Sequence, residues 1–249
     1  MNYHWNWAIF WEISPDGVHT YLQTLLMGTG WTLLTAVCAF TIALTFGSLI
    51  GVIRTTPFSF AVRIGDAYVE LFRNIPLLVQ MFLWYFVLPE VVPRTFEIWL
   101  KQLPNASFYT AVVALGLYMS ARIAEQVRAG VLSLPRGQRQ AGLALGLTLP
   151  QTYLYVLLPM AYRIIMPPLT SELLNTIKNS AVALTIGLME LTARARAMQE
   201  FSFQVFEAFT AATVIYIAIN IAVTFAMRLV ERRIAVPGYL GAKARPAGH

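Results

Sequence analysis

Charged side chains inside apolar stretches are the residues of this chain whose chemistry stands out. Arg122 and Lys178 are basic, Glu125 and Glu172 are acidic, and all four lie in mostly apolar runs. Such a group near the middle of a membrane span costs about 2.5–3.5 kcal/mol, so it indicates a function or a close partner. On a helix Arg122 and Glu125, three residues apart, share one face and can pair. Alternatively the Arg122 guanidinium binds an acidic small molecule, because its fork fits a carboxylate with two parallel hydrogen bonds, or it reaches toward water.

Two uncharged polar residues, Gln80 and Asn175, are candidates to line the same path as Arg122 and Lys178. Three prolines are expected to interrupt helical hydrogen bonding there, Pro76 early in one segment and Pro167 and Pro168 early in another. Irregular backbone at membrane depth is tolerated where it faces protein or a water-filled path, although proline is also frequent in spans that merely pack. For Lys178 we expect a general role in helix packing or gating.

Groups that would support catalysis or metal binding are scattered. The histidines are His4, His19 and His249, near the two ends, and aspartate occurs only at Asp16 and Asp66. An enzyme site needs paired carboxylates, a metal cluster or an activated nucleophile, and the sequence brings none together. Cys38 is the single cysteine and lies in an apolar run. We therefore predict no catalytic residue, no metal site and no cofactor, which disfavours an intramembrane enzyme.

The composition indicates a membrane protein. Hydrophobic residues make up 57% of the chain and charged residues 12%, whereas soluble domains carry about 25% charged residues. The net charge is +6, but the 18 basic residues are dispersed and form no dense run. Nucleic acid is therefore not expected as a partner, and membrane lipid is.

Five segments are long and apolar enough to be membrane helices, which need about 20 residues each: 22–53, 69–91, 107–130, 164–189 and 206–229. We predict an all-α bundle of about five spans with its termini on opposite sides.

Basic residues mark the cytoplasmic side. One side collects twelve and the other four, Arg94, Lys101, Arg194 and Arg196, so the N-terminus is predicted outside and the C-terminus inside. The twelve are Arg54, Arg63, Arg73, Arg128, Arg136, Arg139, Arg163, Arg228, Arg232, Arg233, Lys243 and Arg245.

A polar loop between the third and fourth segments contains an unusually small-sided helix. Pro135 and Gly137 mark a break, residues 138–147 favour a short helix and Pro150 ends it. Small residues within it, Ala141, Gly142, Ala144 and Gly146, would let this helix sit deep in a partner's cleft.

This loop resembles the EAA loop of ATP-binding-cassette (ABC) importer permeases, in which Glu-Ala-Ala precedes a glycine and a later Ile-x-Leu-Pro. Here the pattern is Gln140-Ala141-Gly142, then Gly146, then Val156-Leu157-Leu158-Pro159. The spacing matches throughout, while Gln replaces Glu and Gly replaces the second Ala. The resemblance implies that Gln140, Ala141, Gly142, Gly146 and Pro159 couple the chain to an ATPase, without any salt bridge that the Glu would make.

Further stretches resemble permeases for polar amino acids. They are Glu70 to Gln80, Asn175 to Ser180, and the segments Arg122 to Arg128 and Trp5 to Phe10, the last two being most similar to glutamate/aspartate permease subunits. The resemblance implies a type I ABC importer permease fold in the bacterial inner membrane. It also implies an amino-acid substrate and three kinds of partner: cytoplasmic ATPase subunits, a second permease subunit, the same or a different chain, and a periplasmic binding protein.

The expected organisation is a periplasmic N-terminal segment 1–21, a permease domain 22–235 with a coupling loop 133–159, and a cytoplasmic tail 236–249. No Gly-Lys dipeptide occurs, so the chain lacks a phosphate-binding loop of the G-x-x-x-x-G-K-[ST] type and the energy must come from another subunit. Two alternatives stay open: a permease for another polar amino acid such as glutamine, and an ion-coupled secondary transporter, which usually shows internal repeats.

Overall fold

The computed structural model describes residues 3–234, and that range is α-helical with no strand among the elements formed. A 3-10 turn, Trp7–Trp11, precedes eleven helices, which we number α1 to α11. They are α1 Tyr21–Ile53, α2 Ser59–Asn74, α3 Leu77–Phe82, α4 Leu88–Val91, α5 Arg94–Gln102, α6 Ala106–Leu132, α7 Arg136–Ala144, α8 Leu149–Thr152, α9 Leu158–Asn179, α10 Leu191–Ser202 and α11 Val205–Ile234. Wider π turns join α3 to α4 (Leu83–Val87) and α8 to α9 (Tyr153–Leu157), and a 3-10 turn, Ser180–Ile186, extends α9. The predicted tail 236–249 lies outside the described residues.

Three of the described helices, α1, α6 and α11, are each long and apolar enough to cross a membrane, and the bent pair formed by α2 and Leu77–Val91 would make a fourth. They correspond to four of the five predicted segments. The fifth, 164–189, corresponds to α9 and its 3-10 extension. Helix α9 packs against α6 and carries the charged residues Arg163, Glu172 and Lys178.

The predicted segment 69–91 contains a sharp bend at Pro76, where an interruption was expected, because the chain turns by 99° between α2 and Leu77–Val91. Proline at position 76 has no N–H for a helical hydrogen bond, and Ile75 is extended, with φ −96° and ψ 125°. The side chain of Gln80 spans the break, because its Nε2 donates to the carbonyl oxygens of Phe72 and Ile75, each at 2.9 Å. The bend is therefore stabilised by a side chain that replaces lost backbone donors.

Pro167 and Pro168 supply no N–H to the hydrogen-bond ladder of α9, yet the helix continues through both residues to Asn179. Neighbouring helices hold α9 in place at this point: Ile165 and Leu169 are buried in the cluster that includes Ile123 and Val127 of α6. A transmembrane helix tolerates proline where packing of this kind compensates the missing hydrogen bonds.

The core of the bundle is the crossing of α1 and α6. Cβ atoms added to Gly47 and Gly51 of α1 would lie 2.7 Å from the Ser120 carbonyl oxygen and 2.7 Å from the Val127 Cβ atom of α6. Contacts this short between the helices require glycine, because any side chain would push them apart. Lipid gives little hydrophobic drive for helix association, so close van der Waals packing of this type supplies the stability.

Loops gather at two ends of the bundle. At the end containing α10, Ile9 packs near Met198, and the Asn6 N–H donates to the Glu207 carboxylate at 2.8 Å. At the opposite end, which contains α7, the Tyr153 hydroxyl donates to the Thr55 carbonyl at 2.7 Å. We call these the α10 end and the α7 end.

Replacing Gly47 by Ala should destabilise the protein by about 1–3 kcal/mol, because the methyl group overpacks the α1–α6 contact against backbone. A matched control is Gly30→Ala in the same helix, where an added Cβ meets nothing within 4 Å. That change should leave stability unchanged or raise it, since glycine inside a helix costs about 0.5–1 kcal/mol relative to alanine. Thermal unfolding of the purified protein in detergent measures both, and equal midpoints for the two variants would show that the crossing does not depend on glycine.

Candidate functional site

An ion pair joins α6 to α9 inside the bundle. The Arg122 Nε donates to Glu172 Oε2 at 2.8 Å, and Arg122 Nη2 donates to Glu172 Oε1 at 3.2 Å. The helices approach closely on this side because α6 has glycine at position 130, where a Cβ would lie 2.5 Å from the Ile165 Cγ2 of α9. Glu172 is thus the partner of Arg122, and the predicted pairing with Glu125 is wrong.

Glu125 belongs to a separate charge network near the α7 end. Its Oε1 lies 3.1 Å from Arg54 Nη1 and 3.2 Å from Arg73 Nη1, and the Arg54 Nε donates to Asp66 at 2.7 Å. These contacts tie α1 and α2 to α6. Three residues along α6 separate Arg122 from Glu125, yet one contacts α9 and the other contacts α1 and α2. Helical spacing alone therefore gave the wrong partner.

The two side chains of the α6–α9 ion pair differ in exposure. Glu172 is 6% exposed, whereas Arg122 is 42% exposed. A guanidinium carries five N–H donors in a fixed fork, and Glu172 engages the edge formed by Nε and Nη2. The other edge, formed by Nη1 and the second Nη2 hydrogen, is not used by Glu172, and a guanidinium edge of this kind can bind a carboxylate with two parallel hydrogen bonds. Glu172 thus orients Arg122 and balances its charge.

The other candidate path residues are not all brought to this ion pair. Gln80 is 2% exposed and serves the break before α3. Asn175 is half-buried on α9, three residues after Glu172. Lys178 is exposed and lines a cleft of about 660 Å³ between α9 and α11, together with Tyr216, Asn220 and Arg228 of α11. The structure thus separates Arg122 from a cleft at Lys178 that is lined by polar and apolar residues.

The predicted short helix of the loop is present as α7, Arg136–Ala144. Gly146 follows it with φ +86°, a left-handed conformation that disfavours side chains. Its N–H bonds to the Leu143 carbonyl, and the N–H of Leu147 bonds to the Gly142 carbonyl, which together form a Schellman cap. The termination of α7 therefore explains Gly146 without any partner.

Gly142 is likewise explained within the chain, since an added Cβ would lie 2.8 Å from the Thr152 Cγ2 of α8. The surface that α7 presents consists instead of exposed residues, with Leu145 82% exposed and Leu143 43% exposed. Gln140, Ala141 and Ala144 are exposed beside them, while Pro159 is exposed at the start of α9. We call Gln140, Ala141, Leu143, Ala144 and Leu145 the α7 surface. The sequence motif does not include these two leucines, although they lie in the same loop as Ala141.

The described helices form an apolar bundle in which an ion pair joins α6 to α9 and the short helix α7 is exposed at one end. The chain belongs to the family described as binding-protein-dependent transport system inner membrane component, whose profile matches residues 43–236. This membership confirms the predicted ABC importer permease and its place in the inner membrane.

Relatives and solved structures agree with this membership. The chain is 48% identical over 246 residues to the glutamate/aspartate import permease protein GltJ of Escherichia coli K12, covering 98% of this chain and 100% of the relative. It is 32% identical over 231 residues to the glutamine transport system permease protein GlnP of the same strain, covering 93% and 98%. A crystal structure of an amino acid ABC transporter with histidines matches with a TM-score of 0.72 at 30% identity, over 86% of this chain and 95% of that one. The type I importer permease fold is confirmed.

Proposed function

We propose that this chain is the membrane-spanning permease subunit of an ATP-driven importer that carries glutamate and aspartate. The observation that carries the proposal is the guanidinium of Arg122, which is half-exposed inside the bundle with one bidentate edge not used by Glu172. An acidic amino acid has a side-chain carboxylate that such an edge binds in parallel hydrogen bonds. The 48% identity to a glutamate/aspartate import permease supports the same substrate class.

The Arg122 site would distinguish acidic substrates from glutamine through charge and geometry. A carboxylate accepts two charge-assisted hydrogen bonds from the fork, whereas the amide of glutamine offers one acceptor oxygen and presents N–H donors toward N–H donors. Glu172 contributes by holding the guanidinium in one orientation, so that less rotamer freedom is lost when substrate binds. Asn175, three residues further along α9, is placed to contribute a polar contact.

Partners of three kinds follow from this function: cytoplasmic ATPase subunits, a second permease chain and a periplasmic substrate-binding protein. The α7 surface is the proposed contact with the ATPase. Its side chains are small or apolar and exposed, and α7 packs on the turn that leads into α9. A displacement of α7 would be transmitted to Glu172 through α9.

The proposed orientation has the α10 end in the periplasm and the α7 end in the cytoplasm. Its support is the excess of basic residues in the loops that meet at the α7 end, including Arg54, Arg63 and Arg139. In this orientation the α7 surface faces the compartment that holds ATP.

A charge placed on the α7 surface should uncouple transport. Leu145→Glu puts a carboxylate where an apolar contact with the ATPase is proposed, so substrate-stimulated ATP hydrolysis and co-purification of the ATPase should fall, while the permease still inserts in the membrane. Val18→Glu at the α10 end is the matched control, because Val18 is 75% exposed and lies outside the proposed contact. A complex with Leu145→Glu that retains its ATPase and full coupling would refute this contact.

Matched serines at the two ends test the orientation. Both side chains donate to a carbonyl of the preceding turn, Ser202 to Met198 and Ser133 to Gly130. In a Cys38→Ala background, an impermeant maleimide added to spheroplasts should label Ser202→Cys and spare Ser133→Cys until the membrane is opened. The reverse pattern would place the α7 end outside.

The substrate proposal is tested with the complete importer in liposomes that enclose ATP. Arg122→Lys should reduce uptake of glutamate and aspartate by roughly 10- to 100-fold, because an ammonium cannot form the bidentate contact and a hydrogen bond to a charged group contributes about 1.5–3 kcal/mol. Uptake of glutamine, measured as the neutral control, should change less. Equal losses for the three amino acids would give Arg122 a structural role, and uptake without ATP would favour a secondary transporter.

A further inference from the structure

A cleft at the α10 end, separate from the cleft at Lys178, has features that the transport function does not use. It has a volume of about 780 Å³ and lies between the Trp84–Glu90 segment, α5 and the first turns of α6. That volume is within the 300–1,000 Å³ range of clefts that bind small molecules. Its walls are largely aromatic and aliphatic, with Trp84, Phe96, Trp99, Tyr109 and Val113 among the lining residues.

Charged groups stand at the rim of this aromatic cleft. The Lys101 Nζ donates to Glu90 Oε1 at 2.6 Å and to Glu97 Oε1 at 2.7 Å. These hydrogen bonds, chiefly the one to Glu90, raise the pKa of Lys101, which keeps the ammonium charged. An ammonium has three donors, so one remains for a further acceptor. Glu90 is 63% exposed on its side chain and retains lone pairs for a further donor.

The rim therefore offers one donor and one acceptor side by side. Lys101 and Glu90, the two charged residues among those that line the cleft, have opposite signs, so together they add no net charge to the rim. This pattern complements a zwitterion better than an anion. A cleft with tryptophan and tyrosine beside such a rim, on a membrane-embedded bundle, also has the composition found where acyl chains meet headgroups.

We propose that this cleft binds one molecule of phosphatidylethanolamine, with part of an acyl chain among Trp84, Phe96 and Val113 and its headgroup at Lys101 and Glu90. The phosphate accepts from the third Lys101 donor, and the primary ammonium donates to Glu90. Phosphatidylcholine cannot make the second contact, because its quaternary ammonium has no N–H. Phosphatidylglycerol lacks the cation, so Glu90 repels it.

The cleft is tested by native mass spectrometry of the complete importer released from nanodiscs containing equal amounts of phosphatidylethanolamine, phosphatidylcholine and phosphatidylglycerol. The unmodified complex should retain phosphatidylethanolamine in preference to the other two. Val113→Trp should lose the retained lipid by filling the cleft, whereas Val37→Trp, a change at a 60% exposed valine of α1, should keep it. Glu90→Gln and Lys101→Gln, both at exposed positions, should reduce the preference for phosphatidylethanolamine.

Three results would overturn the proposal. One is equal retention of the three lipids by the unmodified complex. A second is unchanged retention in Val113→Trp together with an unchanged preference in Glu90→Gln and Lys101→Gln. The third is efficient cross-linking of Val113→Cys to a neighbouring protein chain, which would show that a subunit occupies the cleft.

Discussion

A charge inside a lipid bilayer must find its counter-charge within the protein, and this constraint explains why α6 and α9 are joined by Arg122 and Glu172. Removing one partner would leave the other poorly solvated, at a cost larger than any surface ion pair contributes. Glu172 is buried and Arg122 is half-exposed. The charge of the buried carboxylate is therefore balanced by the guanidinium, while part of the guanidinium remains exposed. The same interaction thus joins α6 to α9 and leaves one edge of the guanidinium unused by Glu172.

Close helix packing makes this pair possible. Helix α6 contacts α1 through Gly47 and Gly51, and it contacts α9 through its own Gly130. Because α6 lies between these two helices, its position is fixed on both sides, and Arg122 is presented toward α9 while Glu125 reaches Arg54 and Arg73. Helix α9 begins next to the loop that carries the α7 surface, so Glu172 and the proposed ATPase contact are joined by one continuous helix and the turn before it.

The sequence predicted the parts of this structure that depend on local composition. Long apolar runs predicted α1, α6 and α11, and the breaks at Pro135, Gly137 and Pro150 predicted α7 with small errors at its ends. Ion-pair partners on different helices could not be predicted from the sequence, because Arg122 has Glu125 as a neighbour at helical spacing while Glu172 is fifty residues away. The interruption at Pro76 was predicted, but the size of the bend and its stabilisation by Gln80 were not, since the two carbonyl contacts of Gln80 follow no local pattern. Gly142 and Gly146 were predicted to contact the ATPase, whereas in the structure Gly142 packs against Thr152 and Gly146 caps α7.

We propose two roles for Arg122, as the counter-charge of Glu172 and as a ligand for an acidic substrate. Exchange of the pair, Arg122→Glu with Glu172→Arg, separates these roles, because it preserves the ion pair and moves the guanidinium from α6 to α9. The measurement is glutamate uptake by the complete importer in liposomes, alongside its thermal stability. If Arg122 has both roles, the exchange should restore the stability lost in Arg122→Glu alone while glutamate uptake stays low. Recovery of glutamate uptake to the level of the unmodified importer would contradict it.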